Sequence, residues 1–460
     1  MTTPDQTTCT TVILAAGEGK RMRSDTPKVL HPVAGLAMVN HVIDTAISTG
    51  SDTVAVVVGN QAERVEAVVR GHSDTVSTHI QHERKGTAHA VLAARAVIEK
   101  AGGDLVILYG DVPLIRSEAI DSAREALRSG CDVVVLGFHT AKPTGYGRLL
   151  TDGAQLLAIR EEKDATDEER KVTFCNSGIM AFRAEHALDL LDAVGSGNAQ
   201  GEYYLTDTVE IARERGLKAV AIEVPEADTL GVNDRVQLAQ VEELWQQRRR
   251  EAAMRDGVTM TSPGTVILHH DTQLASDCII EPNVVFAAGV SISSGATIRA
   301  FSHLEGATVG EGAVVGPYAR LRPGADLGKS TKVGNFVEIK GATLGEGAKV
   351  NHLSYIGDAE VGAKANIGAG TITCNYDGYN KWKTRIGEGA FIGSNTSLVA
   401  PVTVGAGIIT AAGSVISRDV EADALAITRA EQKNLPGKAK QLRERNAATK
   451  ASKKLDGSSK

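Results

Sequence analysis

The segment Leu14-Ala15-Ala16-Gly17-Glu18-Gly19-Lys20-Arg21-Met22 follows a short apolar run, and Pro27-Lys28 comes soon after. Glycines in such a place let backbone N–H groups approach phosphate oxygens, and Arg21 and Lys28 add fixed positive charge. The pattern is neither a Walker loop, which needs Gly-Lys and then Ser or Thr, nor the spaced glycines of a dinucleotide site. A second apolar run ends at Tyr109-Gly110-Asp111. A carboxylate there suits Mg²⁺, which takes one or two carboxylates plus phosphate oxygens; a turn-forming Asp ahead of Pro113 explains it equally well. Far along the chain, Arg322, Lys340, His352, Tyr355 and Asn375-Tyr376 interrupt a sequence of small residues. Histidine suits general-base work because its unperturbed pKa, ~6.5, lies near working pH. Taken singly, each of these residues is equally at home on a solvated face.

The elements that must hold them differ between the two halves. In the first, short β-rich runs (Thr11–Leu14, Thr53–Val58, Leu105–Leu108, Asp132–Gly137, Ala219–Val224) alternate with amphipathic stretches at Val39–Ser48, Gln61–Arg70, Ala88–Glu99 and Ser117–Arg128. That alternation predicts βαβ units and a mostly parallel sheet with helices on both faces. Such sheets bind ligands beyond the carboxyl ends of their strands, which is where the glycine loop and Asp111 fall. After Gly231-Val232-Asn233 a helical pattern runs to Gly257, with Asn233 as a possible cap and Arg248–Arg250 as a solvated face. Residues 234–256 are therefore expected to form a linker helix that closes a first domain at residue 233.

The second half is a repeat. Val309, Val315, Leu321, Leu327, Val333 and Ile339 recur every sixth position, and after one-residue slips the series resumes at Leu344, Val350, Ile356, Val361 and Ile367, then at Ile386, Ile392, Leu398 and Val404. Glycine often follows the aliphatic position. A six-residue period fits a parallel β-helix, in which each hexapeptide is one flat side and three make a coil. The aliphatic side chains point inward, and the irregular stretch from Thr373 to Arg385 is an insertion outside the prism. This domain is expected over 257–430. The Lys-, Arg- and Ala-rich stretch from 431 to 460, poor in large apolar residues, reads as a partly disordered tail.

Composition bounds the function. The 460 residues carry a net charge of −6, which gives no global basic field for nucleic acid or an anionic membrane. Glycine numbers 48, above the usual share of about 7%, and aromatic residues are only 4%, which favours many turns over large aromatic cores. The five cysteines are scattered without metal-ligand spacing, as in a reduced, cytoplasmic protein. The opening Met1 to Thr11 lacks a basic n-region, and no apolar stretch reaches the 18 residues of a spanning helix.

With Gln81, Gly86-Thr87, Gly145-Tyr146-Gly147-Arg148, Glu161, Lys163-Asp164-Ala165-Thr166 and Asn176-Ser177-Gly178 added, the first half resembles the sugar-phosphate nucleotidyltransferases. With Gly334 to Lys340, Asn351 to Tyr355 and Thr371 to Gly378, the whole resembles their bifunctional branch, the N-acetylglucosamine-1-phosphate uridyltransferase/glucosamine-1-phosphate acetyltransferases, over residues 10–430. The resemblance implies an α/β fold plus a β-solenoid: a Rossmann-like nucleotidyltransferase domain, a linker helix and a left-handed parallel β-helix that assembles as a homotrimer. It implies that Leu14, Ala15, Ala16, Gly17, Lys28, Gln81, Gly86, Thr87, Tyr109 and Gly110 hold UTP, and that Gly147, Glu161 and Asn176 face the sugar. Asp111 and Asn233 would bind Mg²⁺, and Arg21 and Lys28 would neutralise phosphate charge in the reaction. In the second half it implies Arg322 and Lys340 on the sugar phosphate, Tyr355 and Asn366 on the sugar, and His352 as general base. Ala369, Asn375, Tyr376, Ser394, Ala412 and Arg429 would contact acetyl-CoA, with Cys374 a bystander thiol. The implied substrates are UTP, acetyl-CoA, glucosamine 1-phosphate and N-acetylglucosamine 1-phosphate, with no nucleic acid and no membrane insertion. The sequence departs at Lys20, where the family usually has Thr; this adds one local charge to the phosphate loop.

Overall fold

The computed structural model describes residues 8–457, with side chains to residue 452. Met1–Thr7, which open the polar N-terminal stretch, and residues 458–460 of the expected tail lie outside the described residues. Among the described residues no helix is long and apolar enough to cross a membrane. The chain forms two compact units. The first comprises the chain up to Gly257 with Ser262–Thr272 and Phe286–Ala288; the second comprises Val258–Thr261, Gln273–Val285 and the chain from Gly289 onward.

In the first unit, β-branched runs become the strands of a nine-stranded sheet. Its parallel part pairs Val76–Ile80, Thr53–Val58, Cys9–Ala15 and Asp104–Tyr109 in that order. Alternation along each strand divides the core between two faces. Ile13, Val54, Val56 and Leu108 pack under helices Met38–Ser48, Ala62–His72 and Ser117–Arg128. Val12, Leu14, Val57 and Ile107 pack under Thr87–Leu92, Ala184–Asp192 and Thr208–Glu214. The other half of the sheet is mixed rather than mostly parallel. Strand Phe174–Arg183 runs antiparallel to both Asp104–Tyr109 and Val133–His139, and Arg148–Asp152 and Gln155–Arg160 form a hairpin beyond. These strands carry Asn176 and flank Gly147 and Glu161.

The long helix spans Arg235–Arg255. Its cap is Asp234, not Asn233: the Asp234 carboxylate accepts from Val236 N and Gln237 N, both at 2.9 Å. An N-cap oxygen satisfies donors that the first turn leaves free, and an ionised one also suits the helix dipole. The Arg248–Arg250 run is not a solvated face either. Arg248 pairs with the buried Asp228 at 2.6 Å and donates to Leu114 O; Arg249 donates to Thr272 O; and the buried Arg250 donates to Val266 O and pairs with Glu243. Beside them the Gln246 amide exchanges two bonds with the Leu268 backbone, at 2.7 and 2.9 Å. Segment 262–272 is thus strapped to the helix by polar contacts that a linear sequence does not display.

The second unit is a prism of three parallel sheets with one short strand from each in every coil. All fifteen aliphatic residues of the six-residue series are at most 3% exposed, as inward-pointing positions require. The same inward series already holds Ile280, Ile292, Ile298 and Leu304, ahead of Val309. The insertion is narrower than Thr373 to Arg385: Thr373 and Thr384 are buried in strands of the coil, and only residues 375–383 leave it, as a loop closed by a bridge between Tyr376 and Lys381. The expected frayed tail is a helix, Lys438–Gly457, exposed throughout its described side chains. Ala, Lys, Arg, Gln and Leu are strong helix formers, so local propensity forms it without a buried stripe.

The strap gives a direct test. Gln246→Ala leaves the Leu268 N–H and C=O without their partner, and should lower the stability of the first unit by about 1–3 kcal/mol, seen as an earlier urea transition. An unchanged midpoint would mean that Leu268 finds other partners at no cost.

Candidate active sites

The parallel strands of the first unit end level with one another. Gly110 N donates to Leu14 O at 2.9 Å and Gln81 N to Val58 O at 2.8 Å. The loops after Cys9–Ala15, Val76–Ile80 and Asp104–Tyr109 therefore meet at one edge. They enclose a cleft of about 330 Å³ lined by Leu14, Ala15, Ala16, Gly17, Lys28, Gln81, Gly86, Thr87, Tyr109 and Asp111. All ten had been singled out in the sequence, as had Gly110, which bonds behind them. The floor is apolar and the rim carries amide, hydroxyl, carboxylate and ammonium groups, as small-molecule sites do. Gly86 has to be glycine: its φ is +115°, and a Cβ there would lie 2.4 Å from Tyr203 O. That close approach fixes the turn carrying Thr87, whose hydroxyl accepts from Leu205 N at 2.9 Å.

At one end of the cleft four side chains converge. Lys28 is ion-paired with Asp111, both largely buried, and its ammonium lies 3.4 Å from Asn233 Oδ1. Arg21 donates to the same oxygen at 2.9 Å. With Asp234 taking the cap, Asn233 is left to face this group. Two hard oxygen donors on different loops thus point at one position, where a lysine cation already sits.

Gly147, Glu161 and Asn176 form a second cluster outside the lining of that cleft. Asn176 N donates to Gly147 O at 2.8 Å, and the strand register shifts just past Asn176, so that its amide oxygen accepts from Gly178 N. Thr206 Oγ1 donates to Glu161 Oε1 at 3.3 Å. Burial pushes the Glu161 carboxyl above its usual range, with a smaller upward push from Asp164. Tyr109 joins the two clusters: it lines the cleft and packs against Gly178. Burial raises its phenol pKa, and the charges of Asp111 and Glu161 add to that.

Val29, Arg84, Ala90 and Glu202 also line the cleft, and none of them belongs to the expected site. Arg84 pairs with Glu18, which also holds Lys20 at 2.6 Å. These two cations keep the Glu18 carboxyl below its ordinary range. One carboxylate offsets only one of the two cations, so this exposed trio stays net positive. The charged run Glu83-Arg84-Lys85 between Gln81 and Gly86 was the available signal.

In the second unit, successive coils stack the other candidates. Glu338 and Tyr355 occupy one register, Lys340 and Gly357 another. Arg322 pairs with Glu338 at 2.7 Å, and Lys340 with Asp358 at 3.0 Å. Asn375 donates to Asp358 at 2.6 Å and lies 3.4 Å from the Tyr355 hydroxyl. On the neighbouring sheet His352 lies beside Asn335, while Asn366 is level with Lys349. Above His352 rises a column along one corner: Gly370 N donates to His352 O, Asn395 N to Ala369 O, Gly413 N to Ser394 O, and Arg429 to Ala412 O. Tyr376 stands apart on the exposed loop. Cys374 is a free thiol, half-buried on the strand before that loop.

Comparison with known proteins gives these two arrangements a common setting. Residues 11–172 match the MobA-like NTP transferase domain, and residues 383–418 match the bacterial transferase hexapeptide (six repeats). The bifunctional protein GlmU of Agrobacterium fabrum is 60% identical over 443 residues, 96% of this chain and 98% of the relative. That of Sinorhizobium fredii is 59% identical over 97% of this chain and 98% of its own, and that of Azorhizobium caulinodans 55% over 94% and 96%.

Glu161 offers a test of the local electrostatics. A carboxyl whose folded pKa is raised costs stability at pH values above its ordinary pKa, and the cost fades as pH falls and it protonates. Glu161→Gln should therefore raise the urea midpoint at pH 8 and leave it nearly unchanged at pH 4. A lower midpoint at pH 8 would contradict burial as the dominant influence.

Proposed function

The chain belongs to the family of bifunctional GlmU proteins, and from that premise we propose which of its residues carry each of the two activities. The protein transfers an acetyl group from acetyl-CoA to glucosamine 1-phosphate. It then transfers uridylyl from UTP to the resulting N-acetylglucosamine 1-phosphate and releases pyrophosphate. The fold is the matching pair, a nucleotidyltransferase domain and a left-handed parallel β-helix of hexapeptide repeats. The observation that supports the assignment best is the meeting of Lys28, Asp111 and Asn233 at one end of a cleft.

In uridylyl transfer, Gln81 and the Gly86-Thr87 backbone address the uracil, and Leu14 to Gly17 lie along the nucleotide. Gly147, Glu161 and Asn176 face the sugar. The donor set fits Mg²⁺, which accepts one or two protein oxygens and keeps its other positions for water and phosphate; Asp111 and Asn233 would hold it. When bound, that ion would supply positive charge to offset that of the substrate phosphates. Arg21 and Lys28 supply the remaining positive charge where the attacking sugar phosphate meets the α-phosphate. The attacking phosphate is already anionic, so no protein base is required, and alignment and charge carry the rate.

In acetyl transfer, Arg322 and Lys340 release Glu338 and Asp358 to clamp the sugar phosphate, and Tyr355 and Asn366 hold the sugar. His352 takes the proton from the glucosamine amine as it attacks the thioester carbonyl, and CoA leaves as the thiol. Ala369, Asn375, Tyr376, Ser394, Ala412 and Arg429 lie along the acetyl-CoA. A homotrimer through the prism belongs to the same proposal. In its support, Phe391, Ile409 and Leu425 stack in register on one face with half or more of each side chain exposed. A cytoplasmic location accords with five free cysteines.

Two substitutions separate the sites. Asp111→Ala should lower uridylyl transfer by roughly 10²–10³-fold, as loss of a group that fixes charge at the reacting centre does, and leave acetyl transfer intact. Equal loss of both activities in a folded variant would remove Asp111 from the metal site. His352→Ala should lower acetyl transfer by roughly 10²–10⁴-fold at saturating acetyl-CoA, with uridylyl transfer unaffected. Near-normal turnover there would leave His352 a structural residue of the coil.

A further inference from the structure

We propose that Asn335 is a positioning residue for acetyl transfer: its side-chain oxygen fixes the ring orientation and tautomer of His352, so that Nε2 is the atom that receives the amine proton. The inference rests on the reading of His352 as general base and adds a residue that the sequence did not single out.

The arrangement is built by the coil. Strands Lys332–Asn335 and Lys349–His352 pair in parallel, with Asn335 level with His352. Gly334 permits the approach, since a Cβ there would lie 2.0 Å from Asn351 O. The backbone of His352 is locked from two sides: Ser354 Oγ donates to its carbonyl at 2.8 Å and Gly370 N at 3.2 Å, while Leu353 N donates to Asn335 O at 3.1 Å. The side chain is exposed, so packing alone does not hold its rotamer. What holds it is one bond of 2.9 Å between His352 Nδ1 and Asn335 Oδ1. An amide oxygen can only accept, so Nδ1 carries the hydrogen and the lone pair is left on Nε2.

The partner's neutrality is part of the device. The strands beside the ring carry charge at Lys332 and Lys349, at their far ends. The next coil brings Asn366 and Ala369, and the adjoining sheet carries Glu338, Lys340 and Tyr355 in its own pairs. Among the described residues no carboxylate is ion-paired with His352. A carboxylate in place of Asn335 would stabilise the imidazolium and keep the base protonated to higher pH, whereas an amide orients the ring without that effect.

The test measures acetyl transfer to glucosamine 1-phosphate on the full-length protein at saturating acetyl-CoA. Asn335→Ala should lower kcat about 10- to 100-fold with KM for glucosamine 1-phosphate changed little, as expected of a misaligned base. Asn335→Asp keeps an acceptor. It should recover most of kcat at high pH while its acid limb moves upward by about one pH unit. Uridylyl transfer and the oligomeric mass of each variant check folding, and Asn335→Asp decides alone if Asn335→Ala misfolds. A kcat within twofold of normal for Asn335→Ala, or an unmoved acid limb for Asn335→Asp, overturns the proposal. An inactive His352→Ala beside a normal Asn335→Ala defeats the positioning role alone; a normal His352→Ala defeats the base on which it rests.

Discussion

In-register parallel pairing is the constraint from which both sites follow. Parallel strands all point the same way, so their carboxyl ends, and the loops leaving them, gather on one side. In the first unit that rule brings Ala16, Gln81 and Asp111 to one edge although up to 95 residues separate them. In the prism the same rule acts at every coil. Each turn lays its residues over those of the turn before, so Asn335, His352 and Ala369 stack because their strands stack. The chemistry needs groups from distant parts of the chain, and parallel register supplies them without long ordered loops.

The second feature the sites share is that their cations are already neutralised. Lys28 has Asp111, Arg322 has Glu338, and Lys340 has Asp358. Taking an unpaired charge out of water costs several kcal/mol, so Lys28, largely buried in the cleft, needs a resident partner, whereas the Arg322 pair is exposed and carries no such cost. On the proposed roles, an arriving phosphate would exchange one ion pair for another instead of meeting a bare charge. The carboxylates become available in the same event, and at Asp111 that release leaves an oxygen ligand where a metal is proposed. Neutral hydrogen-bond partners do the complementary task. Gln246 ties segment 262–272 to the long helix, and Asn335 holds His352, without adding charge to either place.

Gln246 also marks where the sequence could be read and where it could not. Aliphatic residues every sixth position reported the prism directly, because each faces a core that admits nothing else. The coils before Val309 are harder to read, since Phe286 stands among Ile280, Ile292 and Ile298 and the step from Leu304 to Val309 is one residue short. The loops at Gly17 and Asp111 were legible because each follows a strongly apolar strand. The antiparallel strands carrying Asn176 and flanking Gly147 were not read as strands, and only the family resemblance pointed to those residues. Asn233 and Asp234 are both good cap residues, and the choice between them depended on a site elsewhere. Arg248 to Arg250 looked solvated because their partners, Asp228 and the carbonyls of Val266 and Thr272, are not marked in the sequence as neighbours. Asn335 lies within the Gly334 to Lys340 stretch, but that stretch does not show its role, which depends on one contact between coils.

The two activities run in a fixed order, acetylation before uridylylation, with N-acetylglucosamine 1-phosphate as the link. The most direct measurement supplies the protein with glucosamine 1-phosphate, UTP and Mg²⁺, then adds acetyl-CoA while free thiol and pyrophosphate are followed separately. Little pyrophosphate is expected before acetyl-CoA is added. After the addition, thiol should appear at once and pyrophosphate after a lag that disappears when N-acetylglucosamine 1-phosphate is supplied from the start. Rapid pyrophosphate release without acetyl-CoA, or pyrophosphate appearing ahead of thiol, would contradict that order.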